Sequence, residues 1–511
     1  MVLNSLASSA EASVLDRNAE YLGVSTLQLM ENAGRSIADL IAVRFGAGSS
    51  VVVYNGTGRN GGDGMVAARH LAGKGFKVVV RLVGSSKSVT DPIVRQNWIA
   101  LKSMTSSVQI EECADSSIIS RTESDVLVDA VLGTGAKGKL RQPILRAVQV
   151  INESGGFKVA VDVPTGIDSD NGDVLGDAVR ANATVTFHAN KPGLKKAGDF
   201  CGEVSVVDIG IPPEASTYAG PGDVEFVRIR RSPLAHKGQY GRLLVIGGSE
   251  TFTGAPALVA LAAYRTGTDL VFVAAPEKTA DIVSSMSPNL ISLKLPGSML
   301  APSHVQLLRS HIERASAIAL GPGLGENAKT QSAIRRVLTE SRLLKKPLVV
   351  DADALKALGL GRKRTLDEST VLTPHAGEFK AMAGKSPSTE LRARSQEVKT
   401  VAERVGGIVL LKGNTDVISD GYSVKLNRTG NPGMTVGGTG DVLTGIISGL
   451  LAQSIDAFRA AVAGAFIAGA AGDLAEEELG YHLTPTDLLE RIPKVMDDPM
   501  CHKNIYQKRL Q

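Results

Sequence analysis

The sequence predicts two doubly wound, parallel α/β domains in one chain. Three observations carry this. Short β-branched runs alternate with helical patterns along most of the 511 residues, as expected of parallel sheets covered by helices on both faces. Glycine-rich turns follow several of those runs, and the chain carries 55 glycines. A Pro/Gly stretch with Pro212, Pro213, Gly220, Pro221 and Gly222 separates two series of such units and reads as a linker. The expected organisation is a first domain at 1–217, a linker at 218–229 and a second domain at 230–511.

Thr26 to Phe45 has helical periodicity and stops near Gly46, so an amphipathic helix is expected there. Strands are expected at Val51–Tyr54, Lys77–Val83, Asp125–Val131 and Lys158–Val163, with a helix over Met65–Gly73. The second series begins at Arg242. Strands are expected at Leu243–Ile246, Leu270–Ala274, Ala317–Leu320, Leu348–Val350, Thr370–Leu372 and Ile408–Leu411. The two series show no internal repeat, so two different α/β domains are expected.

Composition narrows the function. Net charge is +4, from 56 basic and 52 acidic residues, too balanced to point to nucleic acid or a membrane surface. The apolar stretch Ala460–Ala471 is about half a membrane span and reads as a buried helix. Cys113, Cys201 and Cys501 form no C-x-x-C pair; reduced thiols in a cytoplasmic protein are expected. Met1 to Ala12 lacks a basic start and an apolar core, so it does not read as a secretory signal.

Three strand ends in the first half carry polar, glycine-rich loops. Gly56-Thr57-Gly58-Arg59-Asn60-Gly61-Gly62-Asp63-Gly64 lies between a strand and a helix. Free backbone N–H groups and the helix dipole there make an anion cradle. The spacing also fits G-x-G-x-x-G, but the next strand ends at Val83-Gly84-Ser85-Ser86-Lys87 without the ribose-binding acid of a dinucleotide dehydrogenase. The second loop is Gly133-Thr134-Gly135-Ala136-Lys137-Gly138-Lys139 after Asp129; the third is Pro164-Thr165-Gly166 after Asp162. Ligands of open α/β sheets bind beyond the carboxyl ends of strands, so the three loops should converge. Asn60, Asp129 and backbone carbonyls could hold a hard cation; oxygen ligands of low charge suit potassium. Burial near an anionic ligand should make Asp162 a usable base.

These motifs resemble the epimerase family that repairs hydrated nicotinamide nucleotides. The quoted matches are G-T-G-R-N-G-G-D-G, V-D-A-V-L-G-T-G and V-D-V-P-T-G-I-D, with Asp16-Arg17-Asn18-Ala19 and Leu29-Met30-Glu31-Asn32-Ala33-Gly34 before them. The resemblance spans roughly 10–215. It implies substrate contacts at Arg59, Asn60, Gly61, Gly62 and Asp63, at Gly133 through Lys139, and at Asp162. It implies potassium held through Asn60, Asp129 and Thr165. Arg59 stands where the family usually has Asn. Asp162 is the expected proton-handling group, assisted by Lys139 or else Lys137.

In the second half, Gly437-Gly438-Thr439-Gly440-Asp441 opens a helix whose residues Val442, Leu443, Ile446, Ile447 and Leu450 share one apolar face. Its N-terminus can stabilise phosphate oxygens or developing charge. Asp441 is a candidate general base beside a transferring phosphoryl group, kept ionised by the dipole. Lys412-Gly413-Asn414-Thr415-Asp416 follows a strand and should meet nucleotide phosphate or ribose, or else form a hairpin turn into Val417–Ser419. Asp351 and Asp353 are paired acids that could contact substrate or magnesium. His375, beside Thr373 and Glu378, is a candidate substrate contact.

This half resembles the ribokinase-like superfamily, and within it the nucleotide-dependent dehydratases of hydrated NADH and NADPH. The matches, over roughly 230–495, are G-P-G-L-G, V-D-A-D-A-L, T-P-H-A-G-E, L-K-G-N-T-D, N-P-G-M-T-V-G-G-T-G-D-V-L-T-G and H-L-T-P-T-D-L. The resemblance implies a Rossmann-like three-layer sandwich followed by a ribokinase-like α/β domain. It implies substrate contacts at Ala255, Gly323, His375 and Asp441, and adenine-nucleotide contacts at Lys412 through Asp416 and at Gly440. The expected activity is epimerisation of R and S hydrates (NADHX and NADPHX) and dehydration of the S form. ADP is the expected phosphoryl donor, with ATP open, and magnesium is expected in the second domain. An oligomer of identical chains is expected. The alternative is a ribokinase-like small-molecule kinase fused to a nucleotide-binding scaffold; restored NADH absorbance, against a stable phosphorylated alcohol, separates the two.

Overall fold

A computed structural model describes residues 6–358 and 366–510. The first five residues of the Met1–Ala12 segment lie outside them. The chain divides into two compact units between Pro213 and Glu214.

The first unit is built on a seven-stranded sheet. Its strands are β1 (Ser50–Asn55), β2 (Lys77–Val83), β3 (Val108–Cys113), β4 (Val126–Ala130), β5 (Phe157–Val161), β6 (Ala183–Phe187) and β7 (Glu203–Val207), in spatial order β3-β2-β1-β4-β5-β6-β7. Every neighbouring pair is parallel. Val51, Val53, Val78, Val80, Val126 and Val128 alternate onto one face and pack with Ile37, Ile41, Met65 and Leu71 from the helices Thr26–Arg44 and Arg59–Gly73. The order reverses between β1 and β4, and the crevice at such a switch point is where this architecture binds ligands. β3, β6 and β7 were not among the expected strands. Val108-Gln109-Ile110-Glu111-Glu112-Cys113 and Glu203–Val207 are part-exposed edge strands, and β6 interleaves Thr184 and Thr186 with its apolar residues.

The second unit carries a nine-stranded sheet: β8 (Arg242–Ile246), β9 (Leu270–Pro276), β10 (Ile291–Leu295), β11 (Ala317–Leu320), β12 (Leu348–Val350), β13 (Thr370–Leu372), β14 (Ile408–Leu411), β15 (Asp416–Ser419) and β16 (Val424–Asn427). The order is β10-β9-β8-β11-β12-β13-β14-β15-β16. β8 through β14 run parallel, and β14, β15 and β16 form an antiparallel meander. Its switch point lies between β8 and β11. The helix Thr439–Ala452 has Val442 through Ala452 buried. The segment Ala457–His482 is long and apolar enough to cross a membrane, yet 89% of its apolar window is buried inside the structure; it is a core helix.

The expected linker is structured. Residues Pro221–Val227 form a helix with Pro221, Val224 and Val227 buried. The Gly220 N–H donates to the Asp223 carboxylate at 2.9 Å, and Asp223 pairs with Lys425 at 3.2 Å, all within the second unit. Gly220 and Pro221 mark a helix start, where proline's missing N–H costs nothing.

Candidate active sites

The first site is a cavity of about 670 Å³ at the switch point of the first sheet. Arg59, Asn60, Asp63, Asp162 and the residues 133–137 line it. The cradle is closely packed: a Cβ on Gly61 would lie 1.9 Å from the Gly56 carbonyl oxygen, and one on Gly56 would lie 2.0 Å from that of Val131. Only glycine lets the first helical turn approach the loop after β1, and that loop approach the turn after β4, this closely. Gly61 and Gly62 are buried backing for the loop, and Gly138 and Lys139 are exposed and do not line the cavity. Arg59 lines it while its Nε donates to Asp91 at 3.1 Å. Asp91 also caps the helix Pro92–Lys102 through the Ile93 N–H at 2.9 Å.

The lysine beside Asp162 is neither of those expected. Lys137 Nζ binds Asp168 at 3.0 Å and Asp170 at 3.1 Å. Lys191, from the loop after β6, holds Asp162 Oδ1 at 2.7 Å. Its ammonium also donates to Thr186 Oγ1 at 2.8 Å and to the Phe187 carbonyl at 3.0 Å. Thr186 Oγ1 donates to the same Asp162 oxygen at 3.1 Å. The Lys191 side chain is only 3% exposed, so three acceptors compensate a buried charge. Asp162 itself sits at φ +65°, a left-handed conformation that costs energy in a non-glycine residue and is held here by its N–H bond to Val185 O at 2.7 Å. Asp16, from the helix Ser9–Tyr21, also lines the cavity. Burial pushes its carboxyl up to about 6, with Arg59 opposing and the charge of Asp162 adding to the rise. Burial, then Asp162 and Asp16, push Asp63 well above the usual carboxylate range. Lys191 and Asp16 lie outside the glycine-rich loops; the pre-Pro192 lysine and the short D-R-N-A segment were their only sequence signals.

Asp129 and Thr165 bond to each other at the turn after β4, and the Asn60 side chain lies against Gly133 in that turn. Asp129 accepts from the Thr165 N–H at 2.7 Å and from Thr165 Oγ1 at 2.6 Å. Thr165 Oγ1 accepts from the Leu132 N–H at 3.0 Å. Burial raises the Asp129 carboxyl to about 6, against these hydrogen bonds. The Asn60 amide faces Gly133, and its Nδ2 is buried without a hydrogen-bond partner. One carboxylate, one amide, one hydroxyl and nearby carbonyls are hard oxygen donors of low total charge, a set that fits a monovalent cation. The Asn60 amide oxygen, not its buried Nδ2, is the atom such an ion would engage, with the amide turned to face it.

The second site is built from loops after β8, β11, β12, β13 and β14. At its switch point Gly323 adopts φ +68°, and a Cβ there would lie 2.8 Å from Phe252 Cβ and 3.3 Å from Ala255 Cβ. Lys412 Nζ pairs with Asp351 Oδ1 at 3.1 Å, and Thr444 Oγ1 donates to Asp351 Oδ2 at 2.7 Å. A Cβ on Gly440 would lie 3.4 Å from Lys412 Nζ, so Lys412 faces the start of the helix Thr439–Ala452. Gly438, at φ +103°, makes that entry. The expectation that the helix dipole keeps Asp441 ionised does not hold. Burial and the charge of Asp351 push its carboxyl up to about 7, against the pull of Lys412.

The other expected contacts divide. His375 caps the helix Ala376–Ala383, its Nδ1 accepting from the Gly377 N–H at 3.0 Å, with its side chain 61% exposed. The Lys412 N–H donates to Pro374 O at 2.9 Å, which ties the His375 loop to Lys412. Gly413, Asn414 and Thr415 form the turn between β14 and β15, so the hairpin reading holds. Asp416 braces that turn: it accepts from the Gly413 N–H at 2.9 Å and from Asn427 Nδ2 at 3.0 Å. Asp351 and Asp353 hold different partners: Asp351 pairs with Lys412, whereas Asp353 accepts from the Gly325 N–H at 2.8 Å. Among the described residues no group of three or more His, Cys, Asp or Glu stands together as a metal cage.

Comparison with known proteins agrees with this division. The family model of NAD(P)H-hydrate dehydratase matches residues 243–494, and that of the YjeF-related protein N-terminus matches residues 26–193. The chain is 44% identical to the bifunctional NAD(P)H-hydrate repair enzyme Nnr of Hyperthermus butylicus, over 96% of this chain and 92% of that one. It is 46% identical to the protein of the same name from Pyrobaculum aerophilum, over 96% and 97%. A solved structure of ADP/ATP-dependent NAD(P)H-hydrate dehydratase from Bacillus subtilis, co-crystallised with ATP/Mg2+, is 30% identical and covers 55% of this chain and 98% of that one, with a TM-score of 0.45. With both halves matched and the likeness running almost end to end, the chain belongs to the family of bifunctional NAD(P)H-hydrate repair enzymes.

Proposed function

We propose that the first site equilibrates the R and S hydrates of NADH and NADPH through Asp162, and that the second phosphorylates the S hydrate with ADP as donor, Asp441 acting as base. The pairing of epimerase and dehydratase activities belongs to the family; the residue roles and the donor are our reading. The observation that carries it is two carboxylate sites in one chain, each at the switch point of its own sheet. Dehydration of the S hydrate with ADP or with ATP tests the donor, and activity with ATP alone overturns the ADP assignment.

In the second site the hydrate's ring hydroxyl gives its proton to Asp441 as its oxygen attacks the terminal phosphorus of ADP, releasing AMP. Lys412 and the N–H groups opening the helix Thr439–Ala452 stabilise the charge on the moving phosphoryl group. The phosphate then leaves with the C–O electron pair, the ring nitrogen lone pair drives it out, and loss of a neighbouring ring proton restores the double bond. Magnesium would neutralise phosphate charge. A base raised to about 7 is mostly protonated below that pH. The dehydration rate should therefore fall about tenfold per unit as pH drops below 7 and level off above it; a flat profile between pH 5 and 8 would contradict this.

In the first site, potassium held by Asn60, Asp129 and Thr165 would fix the loop after β4 and offset its partial negative charge. A ligand bound only by the folded state stabilises it by roughly 2–3 kcal/mol at about a hundredfold excess over its dissociation constant. The first unit should accordingly melt several degrees higher in potassium chloride than in tetramethylammonium chloride, and equal melting points would rule out the ion site.

A further inference from the structure

Asp162 accounts for one proton, and inversion at the hydrated carbon requires two to be handled. That carbon bears both a hydroxyl and the ring nitrogen, so one of its bonds must break and re-form on the other face. A base for the hydroxyl and an acid for the nitrogen make this possible near neutral pH.

We propose that Asp16 is a second catalytic residue of the first site, the general acid that protonates the ring nitrogen, with Lys191 as the positioning residue that fixes Asp162 as base. The inference rests on the epimerase reading above. Asp16 and Asp162 line one cavity from different elements. The helix carrying Asp16 is tied to both loops of the base: Ser9 N and Oγ each donate to Asp170 at 2.7 Å, and the Ala7 N–H donates to Asn190 O at 2.9 Å, one residue before Lys191. The charged groups facing Asp16 are Arg59 and Asp63 from the helix Arg59–Gly73, Asp162 after β5 and Lys191 after β6. The ammonium of Lys191 lies on Asp162, whereas burial favours the protonated Asp16. One carboxyl of the cavity is thus ion-paired with a buried lysine and the other is favoured in its protonated form by burial, the division of roles an acid and a base require.

The step balances. Asp162 takes the hydroxyl proton, the oxygen electrons form a carbonyl, and the carbon–nitrogen bond breaks with its electron pair going to nitrogen, which Asp16 protonates. Rotation about the adjacent carbon–carbon bond presents the other face of the aldehyde. The reverse step returns the proton from nitrogen to Asp16 and that of Asp162 to the oxygen.

The test uses the full chain with a single NADHX epimer and no ADP, following R and S by chromatography. Asp16→Asn should slow exchange at least about a hundredfold, and Asp16→Glu should restore part of it. The wild-type rate should fall as pH rises through the Asp16 pKa of about 6, and Asp16→Asn should lack that limb. Lys191→Met should weaken exchange through kcat rather than KM. In heavy-oxygen water the inverted product should keep its original oxygen. An Asp16→Asn enzyme within threefold of wild type, a folded Asp16→Glu enzyme no faster than Asp16→Asn, or one heavy oxygen gained per inversion overturns the proposal. A wild-type protein that exchanges neither epimer overturns the epimerase reading itself.

Discussion

An Asp441→Ala enzyme should lose at least about two decades of dehydration rate while exchanging R and S hydrates at the wild-type rate. Asp441 stands at the first turn of the helix Thr439–Ala452 with Lys412 and Asp351 opposite. In the proposed mechanism it accepts the proton of the attacking hydroxyl as phosphoryl transfer begins. Alanine leaves the glycine entry and Lys412 in place, so nucleotide binding should survive. The loss should fall on kcat, as expected for an interaction made only in the transition state. NADH absorbance with the S hydrate and ADP reads the first activity, and chromatography of the epimers reads the second. Loss of both would indicate a misfolded chain; retention of a tenth or more of the dehydration rate would remove Asp441 from the role of base.

Asp162→Asn should produce the reciprocal enzyme. Epimerisation should drop by at least about two decades, S hydrate should still be dehydrated, and R hydrate should persist. This substitution also has a structural cost. Lys191 is nearly fully buried against Asp162, and removing one partner of a buried pair costs roughly 3–5 kcal/mol because the other charge is stranded. The first unit of Asp162→Asn should therefore melt earlier. The double variant Asp162→Asn with Lys191→Met should recover much of that stability and none of the epimerisation. A double variant as unstable as the single one would mean that Lys191 does not carry the predicted charge penalty.

The legible parts of this molecule were those in which one short segment contains the whole physical signal. Ala317–Leu320, Leu348–Val350, Thr370–Leu372 and Ile408–Leu411 are apolar runs buried throughout, and the structure places strands over those same residues. The cradle after β1 was legible because its glycines are demanded by contacts within a few residues and with β4. Edge strands such as β3 escaped because their exposed faces are polar, and Gly220 and Pro221 suggested a linker because a helix start uses the same residues as a break. The three loops were expected to converge and do; what sequence could not supply is which side chains from other segments join them. Lys191 reaches Asp162 across β6, Asp16 arrives from a helix far earlier in the chain, and Asp351 raises Asp441 from a separate strand. The dipole of its own helix favours an ionised Asp441, but burial and a second carboxylate outweigh it.

The most direct test of coupled repair is incubation of the full chain with a mixture of R and S NADHX and ADP, following both epimers and NADH by chromatography. Both epimers should disappear, NADH should accumulate to their sum, and AMP should form in step. Consumption of the S epimer alone, with R lost only at its spontaneous rate, or accumulation of a stable phosphorylated hydrate, would contradict it.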